Sequence, residues 1–484
     1  MISQFKSLPK NWILTKIEDI CTNPQYGYTT KASRCGNLKL LRTTDITSGR
    51  INWNKVPYCT KNPDDTGKYL LKDGDIVISR AGSVGVSYLI KDTEKAIFAS
   101  YLIRFKPLIN KRYFKYFLDS PFYWNSISEK KLGIAVPNVN ANKLKSIIIP
   151  LSPLEEQNRI VEKIEELFSD LDKATNDLKK TQEQLKVYRQ AVLKAAFEGK
   201  LTEEWRRNNP YEKNYLEKIY RSIKNFNFIK TGQDVPRRLP PLDFLYLPSL
   251  PDNWLWIEAH KICTSVRDGT HDTPKYMENG IPLITSKNLK NGKIDFNNVQ
   301  FISKRDHKEI IKRSFVENND ILFGMIGTIG NPVIVTCKKE FSIKNVGLFK
   351  KNYDYIIPKY LRYWLESSKL FKILKEKDFI KGTTQKFISL GNLRILPIPL
   401  SSLEEQCEIV NEIESRLSVC DKLAETVQQS LGKIKYLRQS ILKKAFEGKL
   451  VPQNPKDEPA KKLLERIIQE KVKFESNNKK RKKR

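Results

Sequence analysis

The sequence has few of the residues that metal sites and disulfide frameworks need. Among 484 residues there are three histidines, His260, His271 and His307, and the seven cysteines form no C-x-x-C pair. An odd number of cysteines without that spacing argues against a disulfide framework and against a zinc site. A histidine-based catalytic triad has equally little material, so we expect neither a metal nor another cofactor.

Long apolar runs are also missing. The segment from Met1 to Asn11 is polar with scattered lysines, unlike the apolar core of a signal peptide. A run such as Ser146–Leu151 has the length of a strand, far below the roughly 20 residues of a membrane-spanning helix. We therefore expect a cytoplasmic protein.

The motifs of DNA-modifying and ATP-driven enzymes are absent. An amino-methyltransferase would carry an N/D-P-P-Y/F motif, whereas Asn23-Pro-Gln-Tyr26 and Asn209-Pro-Tyr211 both lack the second proline. The glycines at 324, 327 and 330 have the wrong spacing for a dinucleotide fingerprint, and no G-x-x-x-x-G-K-[ST] loop occurs. We therefore expect a chain that is not an enzyme by itself.

Positive charge, by contrast, is abundant. Lysine and arginine number 87 against 55 acidic residues, a formal net charge of +32. A surface of this sign attracts a polyanion, and DNA or RNA is the usual one. The tail Lys479–Arg484 accounts for part of the excess and could be a solvated run, but the rest is spread along the chain.

The chain also contains an internal repeat. Leu8-Pro-Lys-Asn-Trp12 returns as Leu250-Pro-Asp-Asn-Trp254, Pro150-Leu-Ser-Pro-Leu-Glu-Glu-Gln157 as Pro399-Leu-Ser-Ser-Leu-Glu-Glu-Gln406, and Phe197-Glu-Gly-Lys-Leu201 as Phe446-Glu-Gly-Lys-Leu450. The last quarter of each copy is nearly the same in pattern, whereas the first three quarters share scattered anchors such as Asp75 and Asp320. Simple duplication with uniform drift does not explain this contrast. Surfaces that stay alike can bind one partner twice, and surfaces that differ can bind different targets.

The repeated quarter predicts two long helices. Ser152 is the expected N-cap with Pro153 at the first helical position, Ser401-Ser402-Leu403-Glu404 repeats the box, and Gly199 and Gly448 are the expected stops. Between them, apolar residues follow steps of four and three, which is typical of a coiled coil. The predicted seam consists of Ile160, Ile164, Leu167, Leu171, Leu178, Leu185, Ile409, Ile413, Leu423, Val427, Ile434 and Leu437.

Two such seams in one chain most simply pack on each other, and they run antiparallel if a pseudo-two-fold axis relates the repeats. The alternative is that each helix pairs with another chain. The expected fold is α+β, with two mixed α/β heads separated by two long helices that form an antiparallel coiled coil. The predicted segments are a first head over 1–151, a central helix over 152–201, a connector over 202–249, a second head over 250–400, a C-terminal long helix over 401–450, and a short helix with the basic tail over 451–484.

Within the heads, short apolar runs predict strands and two stretches predict helices. The strands are expected at Asp75–Ser79, Ser146–Ile149, Asp320–Phe323 and Arg394–Pro397, and the helices near Tyr113–Leu118 and Tyr360–Glu366. A further helical piece is expected near Leu216–Ile223 in the connector. The repeated tryptophans are expected in the core.

Four pairs of polar loops, most of them with a glycine, differ between the two heads. They are Gln25–Ser33 and Arg267–Thr273, Arg42–Ser48 and Thr285–Asn291, Arg80–Gly85 and Met325–Gly330, and Gly133–Asn140 and Gly382–Ser389. Their side chains are of the kinds that contact base edges and phosphates. The candidate DNA contacts are Tyr26, Tyr28, Thr29, Lys31, Arg42, Thr43, Arg80, Ser83, Asn138, Asn140, Arg267, Thr270, His271, Ser286, Lys287, Asn288, Thr328, Thr383, Thr384, Gln385 and Lys386.

These features together resemble the specificity subunits of Type I restriction–modification systems. P-L-S-x-L-E-E-Q leading into a heptad helix, the F-E-G-K-L ending, Leu201-Thr-Glu-Glu-Trp205, Val451-Pro-Gln-Asn-Pro455 and the opening Arg267-Asp-Gly-Thr270 all carry the resemblance, which spans nearly the whole chain. The long basic tail is less typical of the family.

The resemblance implies that each head is a target-recognition domain that reads half of a bipartite site in double-stranded DNA. It also implies that the helices set the spacing and bind two methyltransferase subunits, which methylate adenine N6, and that restriction subunits join this core. Two alternatives remain open: a stand-alone DNA-modifying enzyme with an unrecognised active site, and a scaffold that binds nucleic acid without regard to sequence.

Overall fold

The structure, a computed structural model, describes residues 5, 8–91, 93–131, 138–212, 215–229 and 247–482. The chain divides into two compact units: unit 1 comprises Met1–Lys179 and Gln428–Arg484, and unit 2 comprises Lys180–Val427. Unit 1 is thus discontinuous in sequence, whereas unit 2 is one stretch. Part of the predicted loop Gly133–Asn140, the prolines of the connector at 236, 240 and 241, and the last two tail residues lie outside the described residues.

The head of unit 1 alternates short strands and helices. Its strands are β1 (Ile13–Lys16), β2 (Gln25–Tyr26), β3 (Ala32–Ser33), β4 (Lys39–Leu41), β5 (Tyr58–Cys59), β6 (Ile76–Ser79), β7 (Ser87–Leu89), β8 (Ala96–Phe98), β9 (Leu102–Phe105) and β10 (Ile148–Leu151). Its helices are α1 (Ile17–Ile20), α2 (Thr43–Ile46), α3 (Thr66–Tyr69), α4 (Lys111–Asp119), α5 (Pro121–Lys131) and α6 (Ala141–Lys145).

Two four-stranded sheets form this head, in the orders β2-β9-β6-β7 and β3-β5-β4-β8. β6 and β9 pair antiparallel, with Ile76 opposite Phe105, and both are buried along their whole length. Their apolar, β-branched residues suit a strand that is covered on both faces. β1 and β10 pair antiparallel and so bring together the two ends of the head.

The first long helix and the connector follow. They contain α7 (Leu154–Phe197), α8 (Glu203–Asn208) and α9 (Tyr215–Ile229). The side chain of Leu216, at the start of the predicted connector helix, lies outside the described residues. Ile223, at its predicted end, is buried in the core of unit 2.

The head of unit 2 follows the same plan. Its strands are β11 (Leu255–Glu258), β12 (Val266–Asp268), β13 (Ile281–Ile284), β14 (Leu289–Lys290), β15 (Lys293–Ile294), β16 (Gln300–Ile302), β17 (Ile321–Gly324), β18 (Gly330–Ile334), β19 (Ser342–Ile343), β20 (Val346–Phe349), β21 (Ile380–Lys381), β22 (Phe387–Ile388) and β23 (Pro397–Leu400). Its helices are α10 (Ala259–Ile262), α11 (Lys304–Ser314), α12 (Pro358–Glu366), α13 (Ser368–Glu376) and α14 (Leu390–Arg394), and the chain continues with α15 (Leu403–Phe446) and α16 (Ala460–Lys482).

The sheets of unit 2 match those of unit 1 closely. The main sheet has the order β12-β20-β17-β18, the counterpart of β2-β9-β6-β7, and a smaller sheet has the order β16-β13-β19. β11 and β23 close the head as β1 and β10 do. The predicted strands are present, but the two that end the heads lie two to three residues later than expected, at Ile148–Leu151 and Pro397–Leu400.

The starts of the long helices differ from the predicted caps by one residue. In α7 the first helical bond runs from Gln157 N to Pro153 O (2.9 Å), so Pro153 is the N-cap and Ser152 lies outside the helix. In α15 the cap is Ser402, whose Oγ accepts from Glu405 N (3.1 Å), and Ser401 lies one residue before it. Proline has no N–H to donate, so it is tolerated both at the N-cap and at the first helical position. The Ser-Pro pair alone therefore does not determine which residue is the N-cap.

Both long helices stop as the sequence predicts. Gly199 and Gly448 have φ of +71° and +70°, the left-handed conformation that favours glycine. Lys200 N donates to Ala195 O (3.0 Å) and Lys449 N to Lys444 O (2.9 Å), which is the Schellman pattern at both ends.

The two long helices run in opposite directions within each unit. In unit 1, Asp172 pairs with Arg438 (2.6 Å), and Glu156, nearer the start of α7, bonds to Gln453, which follows α15 (2.6 Å). In unit 2, Arg189 pairs with Asp421 (2.9 Å), and Thr202, which follows α7, bonds to Glu405, near the start of α15 (2.6 Å). In each unit, moving forward along α7 therefore means moving back along α15. This is the antiparallel direction that the repeat predicts, while the coiled-coil supercoil itself stays a prediction.

The seam of α15 differs from the predicted one in its middle part. Leu423 and Leu437 are 49% and 46% exposed, so neither is a seam residue. Leu417, which the prediction passed over, is buried with Ile409, Ile413, Val427 and Ile434. Because α15 is rich in apolar residues, several sets of them satisfy the alternating steps of four and three. Only the packing of the helix shows which set is buried. On α7, Ile160 and Ile164 are buried, and Leu167, Leu171, Leu178 and Leu185 are half-buried.

Three repeated sequences meet beneath the head of unit 1, at what we term junction 1 (Pro9, Trp12, Glu156, Phe446 and Gly448). Trp12 Nε1 donates to Glu156 Oε2 (2.9 Å), and the ring centroids of Phe446 and Tyr113 lie 5.0 Å apart. A Cβ on Gly448 would lie 2.4 Å from Pro9 Cγ, so the close contact requires glycine.

Junction 2 repeats this arrangement beneath the head of unit 2 (Pro251, Trp254, Glu405, Phe197 and Gly199). Trp254 Nε1 donates to Glu405 Oε2 (2.8 Å), and Phe197 lies 5.3 Å from Tyr360 between ring centroids. A Cβ on Gly199 would again lie 2.4 Å from a proline Cγ, that of Pro251. Each head is therefore fixed by the start of its own long helix and by the end of the other repeat's helix.

The last glutamine of each repeated octapeptide also lies inside. Gln157 Oε1 accepts from Asn110 N (3.1 Å), and Gln406 Oε1 accepts from Ile357 N (2.9 Å). Because these residues are buried, the similarity of the repeated quarter has an internal cause. The interpretation that it is alike because it forms a partner surface was therefore incomplete.

A helix after each long helix packs on the other repeat's head. In unit 2, Ile223 of α9 belongs to the core near α10. In unit 1, Leu463 and Ile467 of α16 belong to the core near α1, and Lys471 Nζ donates to Glu18 O. In the described part of the chain no helix is both long and apolar enough to cross a membrane.

Candidate nucleic-acid interface

In the head of unit 1, the predicted loops meet around one turn of the chain. Tyr28 N donates to Phe98 O (2.8 Å), Ala99 N to Leu41 O (2.9 Å), and Arg80 N to Tyr101 O (2.9 Å). Loops that lie far apart in sequence are thus held by backbone bonds to a single segment. We term this set rim 1; it comprises Tyr26–Tyr28, Arg42–Thr43, Arg80–Ala81, Ala99–Tyr101 and Asn138–Asn140.

The head of unit 2 has the same backbone frame. Thr270 N donates to Ile343 O (3.1 Å) and Lys344 N to Ile284 O (2.9 Å), the counterparts of the first two bonds of rim 1, and Ile388 N donates to Met325 O (2.9 Å) as Val139 N does to Arg80 O (3.0 Å). We term this set rim 2; it comprises Arg267–His271, Thr285–Asn288, Ile326–Thr328, Lys344–Asn345 and Lys386–Phe387.

Two details show that the rims are equivalent. A Cβ on Gly27 would lie 2.2 Å from Ala99 O, and a Cβ on Gly269 would lie 2.2 Å from Ile343 O, so both approaches require glycine. Isolated bridges also match, because Ala81 pairs with Asn138 as Ile326 pairs with Phe387. The backbone frame is the same, whereas the side chains at equivalent positions differ.

In rim 1, aromatic and amide side chains hold neighbouring loops together. The guanidinium of Arg80 lies over the Tyr26 ring, 5.1 Å from its centroid, and Tyr26 Oη accepts from Ala141 N (2.9 Å). Asn140 Oδ1 accepts from Lys143 N (2.9 Å) and caps α6. Two of the sequence-predicted contacts, Tyr26 and Asn140, therefore have structural roles in rim 1.

Arg42, another candidate, is engaged inside rim 1. Its Nε and Nη2 donate to the two carboxylate oxygens of Asp45 at 3.1 and 2.9 Å. This hydrogen bonding raises the pKa of Arg42 above its ordinary value. The guanidinium fork is thus occupied by a partner within its own head.

Rim 2 is built around a buried carboxylate. Asp268 accepts from Arg313, and its Oδ2 lies 2.8 Å from His271 Nε2. His271 Nδ1 lies 3.1 Å from Asn345 Oδ1, so the imidazole joins two segments of the rim. Nearby, burial and then the charge of Arg267 lower the pKa of Arg394. The result is a cationic surface fixed by an internal anion.

Two candidates in rim 2 are frame residues rather than exposed contacts. Asn288 is buried; its Oδ1 accepts from Thr285 N (3.0 Å) and its Nδ2 donates to Asn298 O (3.0 Å). Ser286 is buried and its Oγ donates to Asn345 O (3.2 Å). Burial removes both side chains from the surface that a ligand meets, so their prediction as contacts was wrong.

The remaining candidates lie on or near the surface. Half-buried are Tyr28, Thr43, Asn138, Arg267 and Thr270, and exposed are Thr29, Lys31, Ser83, Lys287, Thr328, Thr383, Thr384, Gln385 and Lys386. Whether these residues touch DNA stays a prediction. The rims bring together Tyr28, Thr43, Arg80 and Asn138 in one head and Thr270, Thr328 and Lys386 in the other.

Sequence reasoning missed three residues at the rims. Tyr101 is 61% exposed at the turn of rim 1, Lys344 lies in the equivalent turn of rim 2, and Arg313 reaches Asp268 from α11. A polar Ala-Ser-Tyr turn between two apolar runs could have indicated Tyr101. Nothing in the sequence around Arg313 distinguishes it from the other basic residues of that helix.

The described residues contain no cluster of three or more histidine, cysteine, aspartate or glutamate side chains that could hold a metal. The side chains described at the rims are cationic, hydrogen-bonding and aromatic groups, which suit recognition of a polyanion with base edges.

A second repeated surface lies on the long helices. Val187 and Tyr188 of α7 are 70% and 47% exposed, and Tyr436 and Leu437 of α15 are 77% and 46% exposed. Each pair directly precedes the Arg-Gln of its repeat, so the two occupy equivalent positions. These four residues, which we term the apolar pairs, are exposed and alike in their apolar character.

A family model agrees with the repeat. The model for the Type I restriction modification DNA specificity domain matches residues 9–187 and again 251–435. Each match runs through one head and into the long helix that follows it.

Curated relatives are similar over almost the whole chain. The specificity subunit of Type I restriction enzyme EcoBI from Escherichia coli is 27% identical, over 97% of this chain and 94% of the relative. That of EcoKI from Escherichia coli K12 is 24% identical, over 96% of each chain. A chain solved in a study of complex assembly and conformational transition of the type I R-M system has a TM-score of 0.64, at 19% identity, over 92% of this chain and all of that one.

Proposed function

The chain belongs to the family of Type I restriction modification DNA specificity domains, and from that premise we propose that it selects the DNA sequence on which a Type I restriction–modification enzyme acts. It performs no chemistry itself. Each head reads one half of a bipartite site in double-stranded DNA. Two methyltransferase subunits, which methylate adenine N6, and the restriction subunits dock on the chain.

One observation carries this proposal: the two rims share a backbone frame but differ in side chains. Rim 1 has Tyr28, Ala81 and Asn138 at the positions where rim 2 has Thr270, Ile326 and Phe387. Base edges in the major groove are distinguished by donors, acceptors and apolar contacts, whereas phosphates are alike in every sequence. A constant frame with changing side chains is what two readers of different sequences need.

The apolar pairs support docking of one partner type twice. Exposed apolar side chains that lie next to each other can mark a protein–protein contact. Because the pairs recur at equivalent positions on α7 and α15, two copies of the same subunit can use the same contact. We place the assembled protein in the cytoplasm, with the host DNA.

The experiment that tests the function is single-molecule sequencing of methylated adenines in host DNA, with and without this gene. Loss of one bipartite motif upon deletion supports the proposal and names the target. If the motifs do not change although the methyltransferase subunit co-purifies with the chain, the proposal is wrong. A scaffold that ignores sequence would instead bind all duplexes alike, with the same dependence on salt.

The docking surface has its own test. Tyr188→Glu with Leu437→Glu should abolish co-purification of the methyltransferase subunit while leaving thermal unfolding unchanged, because both residues are exposed. Val419→Glu is the matched control, since Val419 is an exposed apolar residue of α15 (62%) whose counterpart on α7 is Asp170. Equal loss with the control would mean that any charge on these helices is harmful and that the apolar pairs have no special role.

The spacing role of the helices is tested by removing one heptad from α7 and the paired heptad from α15. The proposal predicts a shorter gap between the two half-sites, because seven residues correspond to roughly 10 Å of helix. An unchanged gap would mean that the helices do not set it.

A further inference from the structure

We propose that Arg80 recognises a guanine in the half-site read by the head of unit 1, and that Tyr26 is the positioning residue for its guanidinium. This inference rests on the proposed function and adds to it the chemical identity of one contact. It concerns unit 1 alone.

The first support is that the fork of Arg80 is free where that of Arg42 is not. Arg42 is held by both oxygens of Asp45. Arg80 Nε is buried and has no hydrogen-bond partner. Of the two arginines that the sequence singled out in this head, Arg80 is therefore the one whose Nε is unpaired, whereas Arg42 Nε bonds to Asp45.

The second support is that both ends of Arg80 are fixed. Its backbone N donates to Tyr101 O (2.9 Å), and its O accepts from Val139 N (3.0 Å), which ties it to two other loops of rim 1. At the far end the guanidinium stacks on Tyr26, whose Oη is itself bound by Ala141 N. A stacked guanidinium keeps its edge donors free, and a fixed one loses little conformational entropy upon binding.

The third support is a group of unpaired buried atoms. In the described part of the chain, seven buried side-chain N or O atoms have no hydrogen-bond partner, and three of them are Arg80 Nε, Thr43 Oγ1 and Asn138 Oδ1 in rim 1. Native structures seldom leave such atoms unpaired, since each loses its bond to water without replacement. None of the seven lies in rim 2, where Asp268 pairs with Arg313 and His271. Rim 1 thus contains unpaired hydrogen-bonding groups, whereas the polar groups of rim 2 are paired within the head.

The chemistry of the free group selects the base. Arginine presents a planar fork of donors, and guanine presents two adjacent acceptors, O6 and N7, in the major groove. Adenine offers one acceptor and one donor there, and cytosine offers a donor, so neither matches two parallel donors. A lysine at this position would supply a point charge without the fork.

The test uses the chain purified with its methyltransferase subunits and selects duplexes from a random library. With the wild-type complex we expect a bipartite motif containing guanine in one half. Arg80→Gln and Arg80→Lys should each lower the preference for a single guanine by about 10- to 100-fold, the range of one bidentate pair, with the other half-site unchanged. Replacement of that guanine by 7-deazaguanine should lower wild-type binding and leave Arg80→Gln binding unchanged.

Three further variants distinguish the positioning of the guanidinium, and the loss of charge alone, from recognition of the base. Tyr26→Phe keeps the ring and should keep the guanine preference, whereas Tyr26→Leu should weaken it. Arg50→Gln is the matched control, because it removes the same charge from an exposed residue of the same head.

The outcomes are distinguishable. If Arg80→Gln weakens binding to all sequences equally and lowers the salt dependence, Arg80 contacts phosphate and the inference is overturned. An unchanged motif in a folded Arg80→Gln complex overturns it as well. If the wild-type complex selects no bipartite motif at all, the proposed function fails first.

Discussion

The junctions and the rims repeat in opposite ways. At the junctions the same side chains recur, so Trp12 and Glu156 bond as Trp254 and Glu405 do. At the rims the same backbone bonds recur while the side chains change. The contrast shows two uses of one fold: identical packing fixes a head to the helices, and a constant frame carries variable contacts. Four predictions test where this contrast holds.

The largest effect is expected for the phenylalanines of the junctions. Phe197→Ala and Phe446→Ala should each lower the free energy of unfolding by about 3–5 kcal/mol, because each removes a buried ring from a packed aromatic cluster. Urea unfolding measures the free energy of unfolding, and hydrogen exchange identifies the strands that are destabilised. Phe197→Ala should raise exchange in β11 and β23, in the head of unit 2.

Val187→Ala, on the exposed face of the same helix, serves as the control and should change the free energy of unfolding by less than about 0.5 kcal/mol. If Phe197→Ala instead destabilised the head of unit 1, each helix end would belong to its own repeat. The exchange of helix ends between the repeats would then be wrong.

A second prediction concerns a difference between the two junctions, namely the effect of replacing the glutamate of each. Glu405 accepts from Trp254, Thr202, Arg206 and Tyr211, at distances of 2.8, 2.6, 2.5 and 2.5 Å. Glu405→Gln should cost about 3 kcal/mol, because an amide N–H₂ would face donors and leave a buried arginine without its anion. Thermal unfolding measures the loss.

The counterpart Glu156→Gln should cost less than about 1 kcal/mol. Glu156 accepts from Trp12 and from Gln453 Nε2 (2.6 Å), and the Gln453 amide can turn to offer its oxygen to the new N–H₂ group. Equal losses for the two variants would mean that the additional donors around Glu405 contribute nothing.

A third prediction distinguishes a buried residue of the backbone frame from an exposed candidate DNA contact within rim 2. Asn288→Ala should lower the free energy of unfolding by about 1–3 kcal/mol, because it removes the hydrogen bonds of a buried amide to Thr285, Asp295 and Asn298. Lys287→Ala, one residue away and exposed, should leave unfolding unchanged and weaken DNA binding. The two measurements are thermal unfolding and equilibrium DNA binding, and a loss of stability for Lys287→Ala would remove the distinction.

The smallest effect is expected for the pH dependence of the stability that Glu156 of junction 1 contributes. Burial raises the pKa of Glu156 above its ordinary value of 4.5, against the hydrogen bonds from Trp12 and Gln453, which lower it. Between 4.5 and the raised pKa the unfolded chain has lost this proton while the folded chain keeps it. The contribution of Glu156 to stability therefore falls as pH rises through that window.

Urea midpoints of wild type and Glu156→Gln, measured from pH 4 to pH 7, isolate this contribution. We expect the difference between them to shift in favour of the variant as pH rises. Parallel curves would mean that the pKa of Glu156 is the same in the folded and unfolded chain.

Sequence reasoning was most effective where local chemistry decides the structure. The glycine stops, the long helices and the strands Ile76–Ser79 and Ile321–Gly324 follow from nearby residues. The four loop pairs were found because the repeat aligned them, and the structure holds them together through bonds such as Ala99 N to Leu41 O.

What sequence could not provide depends on distant partners. Leu423 fits the heptad steps as well as Leu417, and only packing leaves the first exposed and buries the second. Asn288 is of a residue type that often contacts DNA, but its amide is bonded internally to three residues, Thr285, Asp295 and Asn298. The repeated tryptophan and glutamate bond to each other where a head meets its long helix, and the sequence alone does not show this contact.

The end of each long helix packs against the head of the other repeat, and this arrangement also has a consequence for synthesis on the ribosome. The core of unit 1 includes Leu442, Phe446 and Ile467, more than 270 residues after the last strand of its head. Unit 2 needs only Lys180–Val427. The second head can therefore complete its core while the first still waits for its final helices, which reverses the usual order in which domains mature during translation. Until the last helices emerge, the nascent first head exposes the apolar surface that junction 1 later covers, and chaperones have their longest opportunity to bind there.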